Sequence, residues 1–144
     1  KMFGGGGSES HPATALVNQC THELLIGPDW GANMDLCDNV CRDASGAAAK
    51  AAVKACKARF ATKAPKVQLL TLTLLEAMCK NCGPPVHALV TEKEVLGDMV
   101  RTVEKRDRRD PEVVYRCLSL IGEWADSLAP PAYSVAKMSL QARG

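Results

Sequence analysis

Between Pro65 and Gly83 the chain carries Val67, Leu69, Leu70, Leu72, Leu74, Leu75, Ala77, Met78 and Cys79. At 3.6 residues per turn these positions cover most of a helix's circumference. A helix that is apolar nearly all round is stable only when neighbours bury it from several sides. The segment therefore predicts a central rod wrapped by other helices. Pro65 suits the first turn of that rod, and Gly83 suits its stop.

The rest of the chain supplies the wrapping. Pro12 opens a first helix expected to reach about His22, and Gly27-Pro28 breaks the chain after it. Asp29 is a good N-cap for a second helix from Trp30 to about Arg42. Ser45-Gly46 separates this from a third, Ala47 to Phe60, whose Val53, Cys56 and Phe60 recur at helical spacing. Pro84-Pro85 precedes a short fifth helix through Val90. A sixth is expected from about Glu92 to Lys105, a seventh from Pro111 to about Leu128, and an eighth from Pro130-Pro131 to about Ala142. Evenly sized helices with short connections predict a layered all-α stack. No strict internal repeat is present.

Composition agrees. Aromatic residues make up only 4% of the 144 residues, while Ala and Leu abound, which favours helix over sheet. That length buries a single core without staples. The net charge of +2 singles out neither nucleic acid nor lipid. No run of apolar residues is long enough for a transmembrane segment. An odd count of seven cysteines, with no leader pattern, reads as reduced thiols in the cytoplasm. Residues 1–11 are expected to form a disordered Gly-rich tail before a domain spanning 12–144. Lys1 looks like an expression scar ahead of Met2.

Several blocks together carry a family resemblance. Asp29-Trp30-Gly31-Ala32-Asn33-Met34-Asp35-Leu36-Cys37-Asp38 resembles the second helix of VHS domains. Leu69 to Ala77 followed by Lys80-Asn81-Cys82-Gly83 resembles their fourth, and His87 falls where their fifth carries a histidine. Leu120-Ile121-Gly122-Glu123-Trp124-Ala125-Asp126 resembles their seventh, and Gly144 matches the usual domain end. Asn33-Met34 and Trp124-Ala125-Asp126 look most like the target-of-Myb adaptors, including their plant-type members.

The resemblance implies a right-handed superhelix of eight helices, VHS/ENTH-like. It implies an adaptor that is no enzyme, needs no cofactor, and sits peripherally on endosome or Golgi membranes, in sorting and vesicle trafficking. It also implies that a GAT domain follows in the whole protein, of which this chain would be an N-terminal piece.

On the second helix, Asn33, Leu36, Cys37 and Val40 form the expected core arc, which leaves Trp30 and Met34 one turn apart at its edge. An exposed Trp beside a flexible Met is an anchor pair for a partner's apolar patch. In related VHS domains this position meets ubiquitin. The expected ubiquitin-binding residues are Trp30, Gly31, Met34, Glu76 and Lys80, with Gly31 allowing close approach. The alternative for Trp30 is a staple holding the helix start against the fourth helix. Glu76 and Lys80 are either a polar rim or a plain i,i+4 helix pair.

A second mode belongs to the Golgi-localised adaptors of this family, which clamp acidic-dileucine sorting peptides between helices six and eight. Glu94, preceded by Lys93, stands where those adaptors carry an arginine, and a carboxylate there repels the signal. Lys93, Val100, Arg101, Lys137 and Met138 would have to build a modified groove.

Other motifs point away from chemistry. Cys79-Lys80-Asn81-Cys82 has redox spacing but lies at a helix C-terminus, where the dipole disfavours a thiolate. Cys79, Cys82 and His87 offer three metal ligands where zinc needs four. His11, His22 and His87 show no triad spacing, and the Gly4–Gly7 run follows no strand. Arg101 to Asp110 holds five cations and three anions, a solvated helix end at which anionic-lipid contact is weak. No aromatics interleave there, which argues against nucleic acid.

Overall fold

The computed structural model of the chain describes residues 11–126 and 131–142. The expected disordered segment over Lys1–Ser10, the assignment of Met2, the expected seventh-helix end near Leu128 and the terminal Gly144 lie outside them. Within the described residues all regular structure is helical: α1 (Pro12–Cys20), α2 (Trp30–Arg42), α3 (Ala47–Phe60), α4 (Pro65–Cys82), α5 (Pro84–Glu92), α6 (Val95–Glu104), α7 (Pro111–Asp126) and α8 (Pro131–Ala142). A single 3-10 turn, Arg106–Arg108, joins α6 to α7. The eight helices form a superhelical stack, as the sequence predicts.

Local chemistry sets the helix ends. His11, grouped by sequence with the tail, caps α1 by accepting from the Ala13 amide at 3.0 Å. Asp29 caps α2 through the Ala32 amide at 3.0 Å. Asp110 Oδ1 accepts from Glu112 and Val113 at the start of α7. Such caps are each worth about 1 kcal/mol. Gly83 ends α4 and caps α5 at φ 71°, ψ −142°, a conformation that only glycine adopts without strain. The expected sixth helix differs at its start: Glu94 adopts a left-handed φ of 64° and becomes the cap, so α6 begins at Val95.

α4 is the rod. It packs on α1, α2, α3, α5 and α7. Leu72, Leu74, Leu75 and Met78 are fully buried. Burial of each contributes roughly 1.5–3 kcal/mol. Leu74→Ala would cost about 3 kcal/mol, because these neighbours cannot all collapse onto the gap. Two polar residues are buried with α4's apolar ones and are satisfied locally. Gln68 Nε2 donates to the Phe60 carbonyl at 2.9 Å, and Thr71 Oγ1 to that of Val67 at 2.7 Å.

α2 and α4 lie side by side in register. Cys41 Sγ donates to the Asn81 carbonyl at 3.6 Å, and Cys82 Sγ to that of Cys37 at 3.5 Å. Ile26 and Pro28, just before α2, share a recess with Pro65 and Lys66 at the start of α4. The two helices therefore run parallel.

Candidate functional site

The expected core arc of α2 is buried: Asn33, Leu36, Cys37 and Val40, joined by Ala32. Trp30 and Met34 lie outside it, 56% and 40% exposed. Trp30 is the first helical residue, directly after the Asp29 cap, so the indole leaves the helix at its mouth instead of folding under it. A staple would bury that ring. Gly31 is exposed, and a methyl group placed there would meet only Asp29 Oδ1, at 3.6 Å. The surface over Trp30, Gly31 and Met34 is thus open to another molecule.

The two α4 residues do not sit beside Trp30. Asn81 is level with Cys41, so Lys80 sits ten residues, or about 15 Å, along the axis from Trp30. Glu76 and Lys80 line a cleft of about 420 Å³ with Gly83, Pro84, His87, Glu123 and Trp124, between α4, α5 and α7. The i,i+4 pair expected between them does not form. Glu76 accepts instead from Arg116 of α7 at 2.9 Å, because α7 brings a guanidinium to its carboxylate while Lys80 stays in solvent.

Sequence reasoning passed over Leu24 and Ile26. They are 80% and 103% exposed in the loop leading into α2. The Leu24-Leu25-Ile26 run next to Gly27-Pro28 is the signal that could have shown them: apolar residues in a turn have no helix face to hide on. Leu24 lines a recess with His22 and Asp29, and Ile26 lines another with Pro65 and Arg116.

Between α6 and α8 a recess of about 550 Å³ is lined by Val100 and Arg101, with Gly97, Val135 and Ala136. Lys93, Lys137 and Met138 do not line it. Lys93 is exposed elsewhere, Lys137 bonds Asp126 at 2.7 Å, and Met138 is 68% exposed. The modified groove expected from these five residues is therefore only partly assembled. Glu94 and Glu104 also line the recess, and Arg101 is bonded to Asp98. The balance of charge there is negative.

Position disfavours the thiolate at the Cys79-x-x-Cys82 pair and at Cys37. Burial pushes Cys79 up to about 12 and Cys37 up to about 11, and raises Cys82 as well. His87, counted with Cys79 and Cys82 as a ligand, turns its Nδ1 to the Tyr133 hydroxyl at 3.1 Å. Among the described residues no three such groups are arranged to hold a metal ion. No described helix is long and apolar enough to cross a membrane.

Comparison with known proteins adds to this geometry. The family model described as VHS domain matches residues 8–142. TOM1-like protein 6 of Arabidopsis thaliana is 43% identical over 124 residues, which cover 86% of this chain and 18% of that protein. TOM1-like protein 9 of the same plant is 45% identical over 117 residues, covering 81% and 17%. The class E vacuolar protein-sorting machinery protein hse1 of Neurospora crassa is 33% identical over 115 residues, covering 80% and 15%. The crystal structure of the VHS and FYVE tandem domains of Hrs, a protein involved in membrane trafficking and signal transduction, superposes with a TM-score of 0.78 at 25% identity, covering 93% of this chain and 62% of that one. The chain spans about a fifth of the length of the first two relatives.

Proposed function

The chain belongs to the VHS-domain family, and on that premise we propose that it is the ubiquitin-binding module of an adaptor that sorts ubiquitinated membrane cargo at endosomes. The single observation that carries this reading is the exposed indole of Trp30 with the exposed thioether of Met34 one turn away. Trp30 and Met34 dock on the apolar patch of ubiquitin, and Gly31 lets the two backbones approach. Glu76 and Lys80 on α4 form the polar far side of the contact. The work is binding, with no catalytic step, and it places the adaptor peripherally on endosome or Golgi membranes. The protein-sorting and trafficking roles that the names of hse1 and Hrs state for those proteins support this placement.

A patch this small holds ubiquitin at a Kd on the order of 0.1–1 mM, so capture of cargo relies on further ubiquitin sites in the whole protein. Titration of the isotope-labelled chain with ubiquitin tests the reading. Amide shifts should centre on Trp30, Gly31 and Met34 and vanish in Trp30→Ala. Shifts elsewhere only, or equal shifts in the variant, would overturn it. Acidic-dileucine peptides are the weaker candidate, since Glu94 and Glu104 face the recess where their acidic residue would enter.

A further inference from the structure

Cys41 is exposed and Cys82 half-buried, whereas the other cysteines are buried. Each of these two lies in the last turn of its helix, Cys41 in α2 and Cys82 in α4. Their thiols reach across to each other's backbone. Cys41 Sγ lies 3.6 Å from the carbonyl oxygen of Asn81, whose carbonyl carbon is bonded to the Cys82 nitrogen. Cys82 Sγ lies 3.5 Å from the Cys37 carbonyl oxygen, one helical turn before Cys41. The Cys41 side chain is also within hydrogen-bonding reach of the Cys82 thiol.

Facing positions on helices packed about 8–10 Å apart bring Cα atoms roughly 4–6 Å apart, a separation that a disulfide spans. The last turn of a helix frays, so its backbone adjusts most readily to the bond. The two thiols also differ in the way that an exchange reaction needs. Cys41 is open to a reagent in solvent. Cys82 is held protonated, by burial first and then by Cys41, and sits where it meets whatever Cys41 acquires. A resolving thiol held against its target needs only a small thiolate fraction, because proximity replaces concentration.

We propose that Cys41 and Cys82 are a redox modification site, closed to a disulfide by low-molecular-weight disulfides such as oxidised glutathione. The Cys41 thiolate attacks one sulfur of the small disulfide, forms a mixed disulfide and releases one small thiol. Cys82 then gives up its proton and attacks the Cys41 sulfur, which joins the two cysteines and releases the second small thiol. The protein pair is oxidised by two electrons, the small disulfide is reduced by two, and the two protons leave on the released thiols. The bond fastens the end of α2 to the end of α4, and reduction frees it. It lies at the opposite end of α2 from Trp30 and does not depend on the ubiquitin reading.

Oxidised glutathione is the probe. The reduced, folded chain is incubated with it, quenched with iodoacetamide under denaturing conditions, and mapped by mass spectrometry. The parent should lose two hydrogens, about 2 Da, and digestion should give one joined peptide pair containing Cys41 and Cys82, separated again by dithiothreitol. Cys82→Ser should stop at a glutathione adduct on Cys41. Cys41→Ser replaces an exposed side chain, so it should fold, and the same treatment should leave it fully reduced. Should Cys82→Ser fail to fold, Cys41→Ser and the parent map carry the test. Trp30→Ala should close the bond as the parent does. A parent chain that carries only glutathione adducts, that joins Cys82 to Cys37, or that pairs Cys41 only between two chains would overturn the proposal. So would a Cys41→Ser chain that still forms an internal disulfide.

Discussion

His87 Nδ1 lies 3.1 Å from the Tyr133 hydroxyl, which ties α5 to α8 beneath the edge of Trp124. Tyr133 is fully buried and Trp124 nearly so. Burial holds the His87 pKa below its ordinary value. The unfolded chain therefore binds the proton more readily, and stability rises with pH wherever that difference is populated. The contribution of His87 is complete above about pH 6.5, the unfolded value, and is lost as pH falls toward the depressed folded value. Denaturant midpoints measured from pH 7.5 to 5.5 should fall for the parent chain, and fall less for His87→Gln. Parallel pH profiles for the two would refute the assignment.

The Glu76–Arg116 bridge should matter more than its neighbour Lys80. Both partners are about a quarter exposed, so water screens them only in part. Arg116→Ala strands a half-buried carboxylate and should cost about 1–2 kcal/mol, between surface and buried pairs. Lys80→Ala should change stability by less than about 0.5 kcal/mol. Urea melts of both variants decide this; equal losses would show that Glu76 is shared between the two cations.

The contrast with Lys80 shows what a single chain of letters can reveal. The rod was legible because α4 needs only its own residues and their period. Its ends were legible because Pro65 and Gly83 are local backbone constraints. The edge position of Trp30 followed from helical geometry alone. The partner of Glu76 was hidden, since Arg116 lies forty residues away and only packing brings α7 against α4. The start of α6 was hidden too, because a left-handed cap is announced by glycine or asparagine and here is occupied by Glu94.

Thiol labelling should proceed in an order set by burial. Cys41 is exposed at the end of α2, whereas Cys20, Cys37, Cys56, Cys79 and Cys117 are buried. Burial raises Cys20, Cys79 and Cys117 to about 12, which leaves almost no thiolate at neutral pH. Iodoacetamide on the native chain should therefore modify Cys41 first and half-buried Cys82 later, the rest only on unfolding. Peptide mapping by mass spectrometry reads the order. Early labelling of Cys79 would mean that α4 is less enclosed than its packing implies.

Gly31 separates folding from binding most cleanly. It lies in the first turn of α2 with only Asp29 Oδ1 nearby, at ordinary contact distance, so Ala fits without displacing anything. Alanine also loses less backbone freedom on folding, and Gly31→Ala should raise stability by about 0.5–1 kcal/mol. A partner seated over Trp30 and Met34 would meet the added methyl at the point of closest approach. Ubiquitin affinity should then fall although the fold is firmer. Trp30→Ala should act differently: its ring is more than half exposed, so stability should change by less than about 1 kcal/mol while affinity drops about tenfold or more. Thermal melts paired with ubiquitin titrations test both. A stabilised Gly31→Ala chain that binds ubiquitin undiminished would place the contact away from the start of α2.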